Sequence, residues 1–519
     1  MAPELEVHFM ANRVVLLLFS TVFLSACAGP MGGGSGQAPP GGQQAPSAVK
    51  PMVIAVATEP STLDAQAVID RNSRVVSGNI FENLLDRDTQ ARIVPALAQR
   101  YENVDPTTWR FELRRDVRFQ NGEPFNAEAA AFSVNRILDK DYKTQRTSYL
   151  ENLLGARVID DYTVDVLTDG LNAVLPVQMT QLAMVPPKAS VERDFGQNPV
   201  GTGPYRFVSW DRGREIKLAA NDDYWGTRPT IKEASIRVIP DAQTQISALQ
   251  VGEVDIVLDL LPEQAQLAPR SLSTLSTDFS YIAFNTRKQE MTDPRVRVAM
   301  NLAVDKDTLA KTIYLGQGKP NDAQHLAPGM VGYNPNLRPY PYDPARARQL
   351  LQDAGFATGF AVTLHAPIGR YLKGEETSEY IAAQLNEVGI RARPELMEWN
   401  AYRDAGRIPG DRPGAFDLKY GWNSNEWFDA SRIVAHITCD GTSSKFCNPR
   451  IDQLMDGAVK TLDPRARDQM YQQVWGILNE DPYSIYLLQQ NLVYGVTTRV
   501  EWQPRTDDEY RLSEMKLTS

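Results

Sequence analysis

Met52-Val53-Ile54-Ala55-Val56-Ala57 is an unbroken apolar run, the pattern of a buried opening strand. Residues 107–113 (TTWRFEL) alternate apolar and polar, as a half-buried strand does. Shorter alternating stretches predict strands at 162–167, 205–209, 215–218 and 235–239. Between them, Asn126 is placed to cap a helix whose apolar side carries Ala130, Val134, Ile137 and Leu138. The second half turns to helical spacing. Asp293-Pro294, Asp343-Pro344 and Asp463-Pro464 each pair an N-cap acid with a proline suited to the first helical position. The helix after Asp343 should stop at Gly355; another over 377–388 should end at Gly389 and feed a strand at 390–393. Helices alternating with strands indicate α/β organisation. With no repeat and no interior low-complexity linker, the lobes are expected to be woven together by crossing strands.

A chain of 519 residues is too long for one ordinary domain and suggests two or three lobes. The 42% apolar and 23% charged composition is that of a folded, water-exposed protein. A formal charge of −10 argues against non-specific nucleic-acid binding, which needs a basic face.

The N-terminus reads as an address. Arg13 precedes an apolar run at 14–23, too short to span a membrane, and Leu24-Ser25-Ala26-Cys27 follows. Glu4 and Glu6 are unusual in the charged region of a signal, so Met10 is a candidate start. Leu-Ser-Ala-Cys resembles a bacterial lipobox, which implies a signal peptide over 1–26 and lipidation of Cys27. Residues 27–48 are mostly Gly, Pro, Gln and Ser and cannot pack, so they form a leash. These features place the body in the cell envelope, outside the cytoplasm and held to a membrane by lipid. In an oxidising compartment Cys439 and Cys447 can close a loop worth about 2.5 kcal/mol. A metal site is the alternative, but only His436 lies near and no Cys-x-x-Cys pair exists to complete it.

Enzyme motifs are wanting. Gly316-Gln-Gly-Lys319 runs into Pro320 and lacks the phosphate-loop frame, and no Gly-x-Ser-x-Gly elbow appears in the folded part. His325, His365 and His436 are scattered, and the carboxylate pairs Asp222-Asp223 and Asp507-Asp508 read as solvated surface. No cofactor or metal is expected.

Four stretches carry a resemblance. The first is Pro95-Ala-Leu-Ala with Trp109 to Phe119 and Asn121-Gly-Glu-Pro-Phe-Asn-Ala-Glu128. Val200-Gly-Thr-Gly-Pro-Tyr205 with Asn221-Asp-Asp-Tyr-Trp225 is the second, and Ala248 to Ile256 the third. Cys447-Asn-Pro-Arg-Ile-Asp452 with the Asp463-Pro464 helix completes the set. Read physically, Trp109, Phe111, Leu113, Val117 and Phe119 supply the core face of a hairpin turning at Asn121-Gly122, and Gly201 and Gly203 permit a sharp reversal. Taken in order, the four resemble the bacterial extracellular solute-binding proteins of family 5, the peptide/nickel-binding group. The resemblance implies an α/β, periplasmic-binding-protein-like type II (cluster C) clamshell with an extra α/β lobe. Lobe I would gather 49–78, 200–278 and 486–519; lobe II would be 79–199 and lobe III 279–485. It also implies a monomer that traps a peptide or similar solute between lobes I and III and passes it to an ABC permease with its ATPase. A sensor or chaperone lipoprotein, and a binder of a metal chelate or a sugar or opine conjugate, are the alternatives.

The same resemblance puts Gly421-Trp422 on the cleft wall, followed in peptide binders by an Asp that pairs with the ligand ammonium. This chain has Asn425 there, so Glu426 or Asp429 is expected to take the role. Trp422 and Trp427 could stack on planar groups. Arg370 and Tyr371 follow the strand at 361–364, and Arg370 could hold a carboxylate. Tyr149 and Glu59 complete the expected site.

Overall fold

The computed structural model describes residues 50–518 apart from 68–69, 143, 151, 413, 435 and 440–444. The signal region, Cys27 and the whole leash lie outside the described residues.

Two long antiparallel strands, Arg270–Phe284 and Ser484–Val496, form the spine of a large sheet. At one end Ser484–Val496 pairs with Ile256–Val257, which leads to the parallel opening strand Met52–Val56 and then to Glu233–Val238, Glu215–Ala220 and Tyr205–Asp211. At the other end Arg270–Phe284 pairs with Leu418–Ser424, followed by Ala361–Pro367 and Arg391–Met397. The strand Met52–Val56 is buried along its whole length, as an unbroken apolar stretch requires, and the exposed Ala57 follows it. Both long strands therefore belong to both ends of the sheet. Their pairing slips between Leu275 and Phe279 and again before Tyr281, a local irregularity part-way along the spine.

A separate four-stranded antiparallel sheet runs Ala98–Asp105, Thr108–Leu113, Thr163–Thr168, Leu153–Asp160. The helix Ala127–Leu138 packs on it, and Asn126 caps that helix by accepting from the Ala129 backbone N–H at 3.1 Å. The partner of Thr108–Leu113 is Ala98–Asp105, reached by a turn at 105–108; Asn121-Gly122 makes its own tight turn beyond, with Gly122 at φ +88°. The Asn121-Gly122 turn closes a short hairpin, in which Phe119 N–H donates to the Glu123 carbonyl at 2.9 Å and Phe125 N–H to the Val117 carbonyl at 3.1 Å. Trp109, Phe111 and Leu113 lie in a different hairpin, because Asp105 reverses the chain earlier by accepting from the Thr107 N–H at 2.8 Å.

The Asp-Pro helices form as the local chemistry dictates. Asp293, Asp343 and Asp463 accept from the backbone N–H groups of Arg295, Arg346 and Ala466 at 2.8 Å each. Gly355 (φ +89°) and Gly389 (φ +95°) close their helices in the left-handed conformation. Cys439 and Cys447 are joined by a disulfide just ahead of the helix Pro449–Val459.

Gly201 and Gly203 act through space, not through turn conformation. Neither has positive φ; instead both press against the end of the helix Arg71–Ile80, and a Cβ on Gly201 would stand 2.0 Å from the Ile80 carbonyl oxygen. Gly203 N–H donates to that same oxygen at 2.8 Å. Backbone cannot yield as a side chain can, so Gly201→Ala is expected to destabilise the protein by about 2–3 kcal/mol or more, the scale of severe overpacking. A urea midpoint equal to wild type would show that the contact relaxes.

Candidate functional site

A cavity of about 630 Å3 opens beside the strand Leu418–Ser424. That is an ordinary size for a small-ligand site. Its floor is the strand itself, from Lys419 to Ser424, with Tyr281 from the neighbouring long strand. One wall is the helix Trp399–Arg407, which presents Trp399, Tyr402, Arg403 and Arg407. The loop after Ala361–Pro367 brings Arg370 and Tyr371. Glu426, Arg432 and His436 close a further side, and Tyr149 arrives from the short 3-10 helix Arg146–Tyr149, far away in sequence.

The aromatic residues hold one another in place. Tyr371 stacks on Trp422 with ring centroids 5.5 Å apart and planes 7° from parallel. It also meets Trp399 edge-on at 6.2 Å, while Arg370 lies over the Trp399 ring at 5.1 Å. Tyr281 links this wall to the core, since its other neighbour is the buried His325. His325 is ringed by Phe279, Tyr483, Tyr486 and Trp475, and its Nδ1 lies 2.6 Å from the Tyr483 hydroxyl. Burial pushes its pKa down to about 3, so it is a neutral core residue.

Glu426 is the carboxylate of the cavity. It is 7% exposed, and Oε1 accepts from Arg432 Nε at 3.2 Å. Burial alone would push its carboxyl up, but the Arg432 guanidinium and the Tyr149 hydroxyl hold it below the ordinary glutamate value. It is therefore ionised at neutral pH. Its Oε2 is buried and has no hydrogen-bond partner among the described residues. An unpaired buried anionic oxygen is costly, and a cation supplied from outside would satisfy it. His436, pushed down to about 4 by burial and the adjacent Arg432, is neutral and cannot serve.

Glu426 faces a second space as well. A smaller chamber of about 140 Å3 is lined by Arg74, Arg87, Arg146 and Arg511 with Glu82, Asp86, Asp507 and Glu509. Its charges are largely matched, as in the Arg511–Asp86 pair.

Of the residues expected from the sequence, the cavity gathers Trp422, Arg370, Tyr371, Tyr149 and Glu426. Four others do not line it. Asp429 is fully buried; it pairs with Arg467 and accepts from Ser431 N–H and Oγ–H at 3.0 and 2.8 Å. Asn425 is equally buried and builds the turn, donating its N–H to the Thr277 carbonyl at 2.9 Å and accepting from Phe428 N–H at 3.0 Å. Phe428 then takes φ +53°, which sends the chain away from the cavity before Asp429. Trp427 belongs to the core around the four-stranded sheet, edge-on to Tyr149 at 6.0 Å. Glu59 accepts from Trp210 Nε1 at 3.1 Å and Gly213 N–H at 2.9 Å, tying the first strand's end to a hairpin elsewhere.

Residues missed from the sequence are Tyr281, Trp399, Tyr402, Arg403, Lys419, Tyr420 and Arg432. Some signal was present: Trp399, Tyr402, Arg403 and Gly406 recur at helical spacing on one face.

A family model described as bacterial extracellular solute-binding proteins, family 5 Middle, matches residues 92–443. The chain belongs to this family. It is a solute-binding protein, and its kin are binders, not enzymes. The glutathione-binding protein GsiB of Salmonella choleraesuis is 28% identical over 465 residues, covering 86% of this chain and 90% of the relative. Among solved structures, the substrate-binding protein CtaP of Listeria monocytogenes superposes with a TM-score of 0.81 at 20% identity, over 90% of this chain and 99% of the other. AgaA of A. tumefaciens, solved with agropinic acid, gives 0.73 at 26% identity, over 90% and 99%. These likenesses confirm the α/β type II clamshell fold. Among the described residues no helix is long and apolar enough to cross a membrane, and no cluster of His, Cys, Asp and Glu could hold a metal.

Proposed function

We propose that this solute-binding protein is the extracytoplasmic capture component of an ABC importer, and that its solute is an amine-bearing, peptide-like compound. The supporting observation is Glu426 Oε2: an ionised, buried oxygen without a partner among the described residues, in the wall of an aromatic-lined cavity. An ammonium group placed there gains a charge-assisted hydrogen bond with little competition from water. Trp422, stacked on Tyr371, and Trp399 offer flat faces for planar or apolar parts of the same molecule. Nothing in the reading requires chemistry on the solute.

In this reading 49–78, 200–278 and 486–519 act together as lobe I, 79–199 as lobe II and 279–485 as lobe III, and the two long strands with their slipped register serve as the hinge. Contacts made only in the closed form favour closure by their differential affinity, and the closed form is what the permease would recognise. Cys27 would carry the lipid that keeps a monomeric body at the membrane.

The test uses the purified protein. Solute released from it by denaturation is identified by mass spectrometry, and tryptophan fluorescence follows rebinding. Unchanged solute and a saturable fluorescence change are expected; steady turnover of the solute, or no amine in it, would sink the proposal.

A further inference from the structure

The cavity carries more positive charge than its one carboxylate can balance. Five cations line it: Arg370, Arg403, Arg407, Lys419 and Arg432. Arg432 pairs with Glu426, and Arg407 with Asp404 at 3.3 Å. Arg370, Arg403 and Lys419 have no carboxylate partner among the described residues, in a protein whose formal charge is −10. The excess is therefore local. It also contrasts with the smaller chamber, where Arg and acid come in nearly equal number.

Lys419 is the most telling of the three. It sits on the floor strand with its Nζ over the Tyr402 ring at 4.5 Å and the Phe416 ring at 5.9 Å. Burial and the nearby Lys445 push its ammonium down to about 8, which leaves it mostly protonated at neutral pH. Rings alone do not replace the water such a cation gives up; an anion does. Gly406 leaves the necessary room, since a Cβ there would stand 2.4 Å from that Nζ. Arg370, whose guanidinium carbon lies 5.1 Å from the centre of the Trp399 ring, carries in its planar fork the N–H groups for a bidentate pair.

We propose that the cavity selects solutes bearing two or more carboxylates, held by Lys419, Arg370 and Arg403, with the ammonium of the same molecule on Glu426. This deepens the capture reading and rests on it. An acidic short peptide or an amino-polycarboxylate conjugate has this chemistry; neutral and basic peptides lack it.

Two peptides of one shape separate the possibilities: Ala-Glu-Glu and Ala-Gln-Gln, titrated into solute-free protein by tryptophan fluorescence at low salt. The acidic peptide is expected to bind at least tenfold more tightly. In Lys419→Met with Arg403→Gln the ratio should fall to threefold or less, with the thermal midpoint reported for each protein. Equal affinities in wild type, or an undiminished ratio in the double variant, overturn the charge selection and leave capture standing. A neutral or cationic solute released from the native protein overturns it as well. If neither peptide binds and no solute is released, capture itself fails and takes this proposal with it.

Discussion

Glu426→Gln is expected to weaken binding of an amine-bearing solute by about 2–4 kcal/mol, roughly 30- to 1000-fold, the loss seen when one partner of a buried charge pair is removed. The side chain keeps its shape but loses the charge that Arg432 and Tyr149 stabilise. Because Arg432 would also lose its partner, affinity alone does not isolate the contact. A cycle does. Acetylating the amine of the same solute should cost the wild type a similar factor and cost Glu426→Gln almost nothing further. If blocking the amine costs both proteins equally, Glu426 does not hold it.

Asp429→Ala should behave in the opposite way. Asp429 is fully buried and paired with Arg467, whose other arm donates to the Ala173 carbonyl at 2.9 Å. Removing one member of such a pair leaves an uncompensated charge, at a cost of about 3–5 kcal/mol of folding stability. Solute affinity under mild conditions should stay within about threefold. Replacing Arg467 by Met in the same protein should recover part of the loss, since no buried charge then remains. Wild-type urea stability combined with poor binding would instead return Asp429 to the cavity.

These two carboxylates lie three residues apart, yet their expected phenotypes differ in kind. The sequence alone offered them as equal candidates for one role. What separates them is a turn at 425–428 and an arginine 38 residues downstream. Asn425 was another candidate for the same reason, and it proves to be the residue that makes the turn. Trp422 and Trp427 divide similarly: one faces the cavity, the other fills a core supplied largely by residues 84–184. Tyr149, which does line the cavity, is joined there to Arg432 across 283 residues of chain.

Features whose causes are local could be read directly from the residues. An aspartate that accepts from an N–H two or three residues on, a proline with its φ already helical, and a glycine that can close a helix act within one turn of chain. Alternating apolar residues likewise set which side of a strand is buried. Long-range packing settles which charged groups are spent on each other and which are left facing the cavity. That choice depends on partners brought together from distant parts of the chain, where one competing ion pair is enough to take a candidate out of the site.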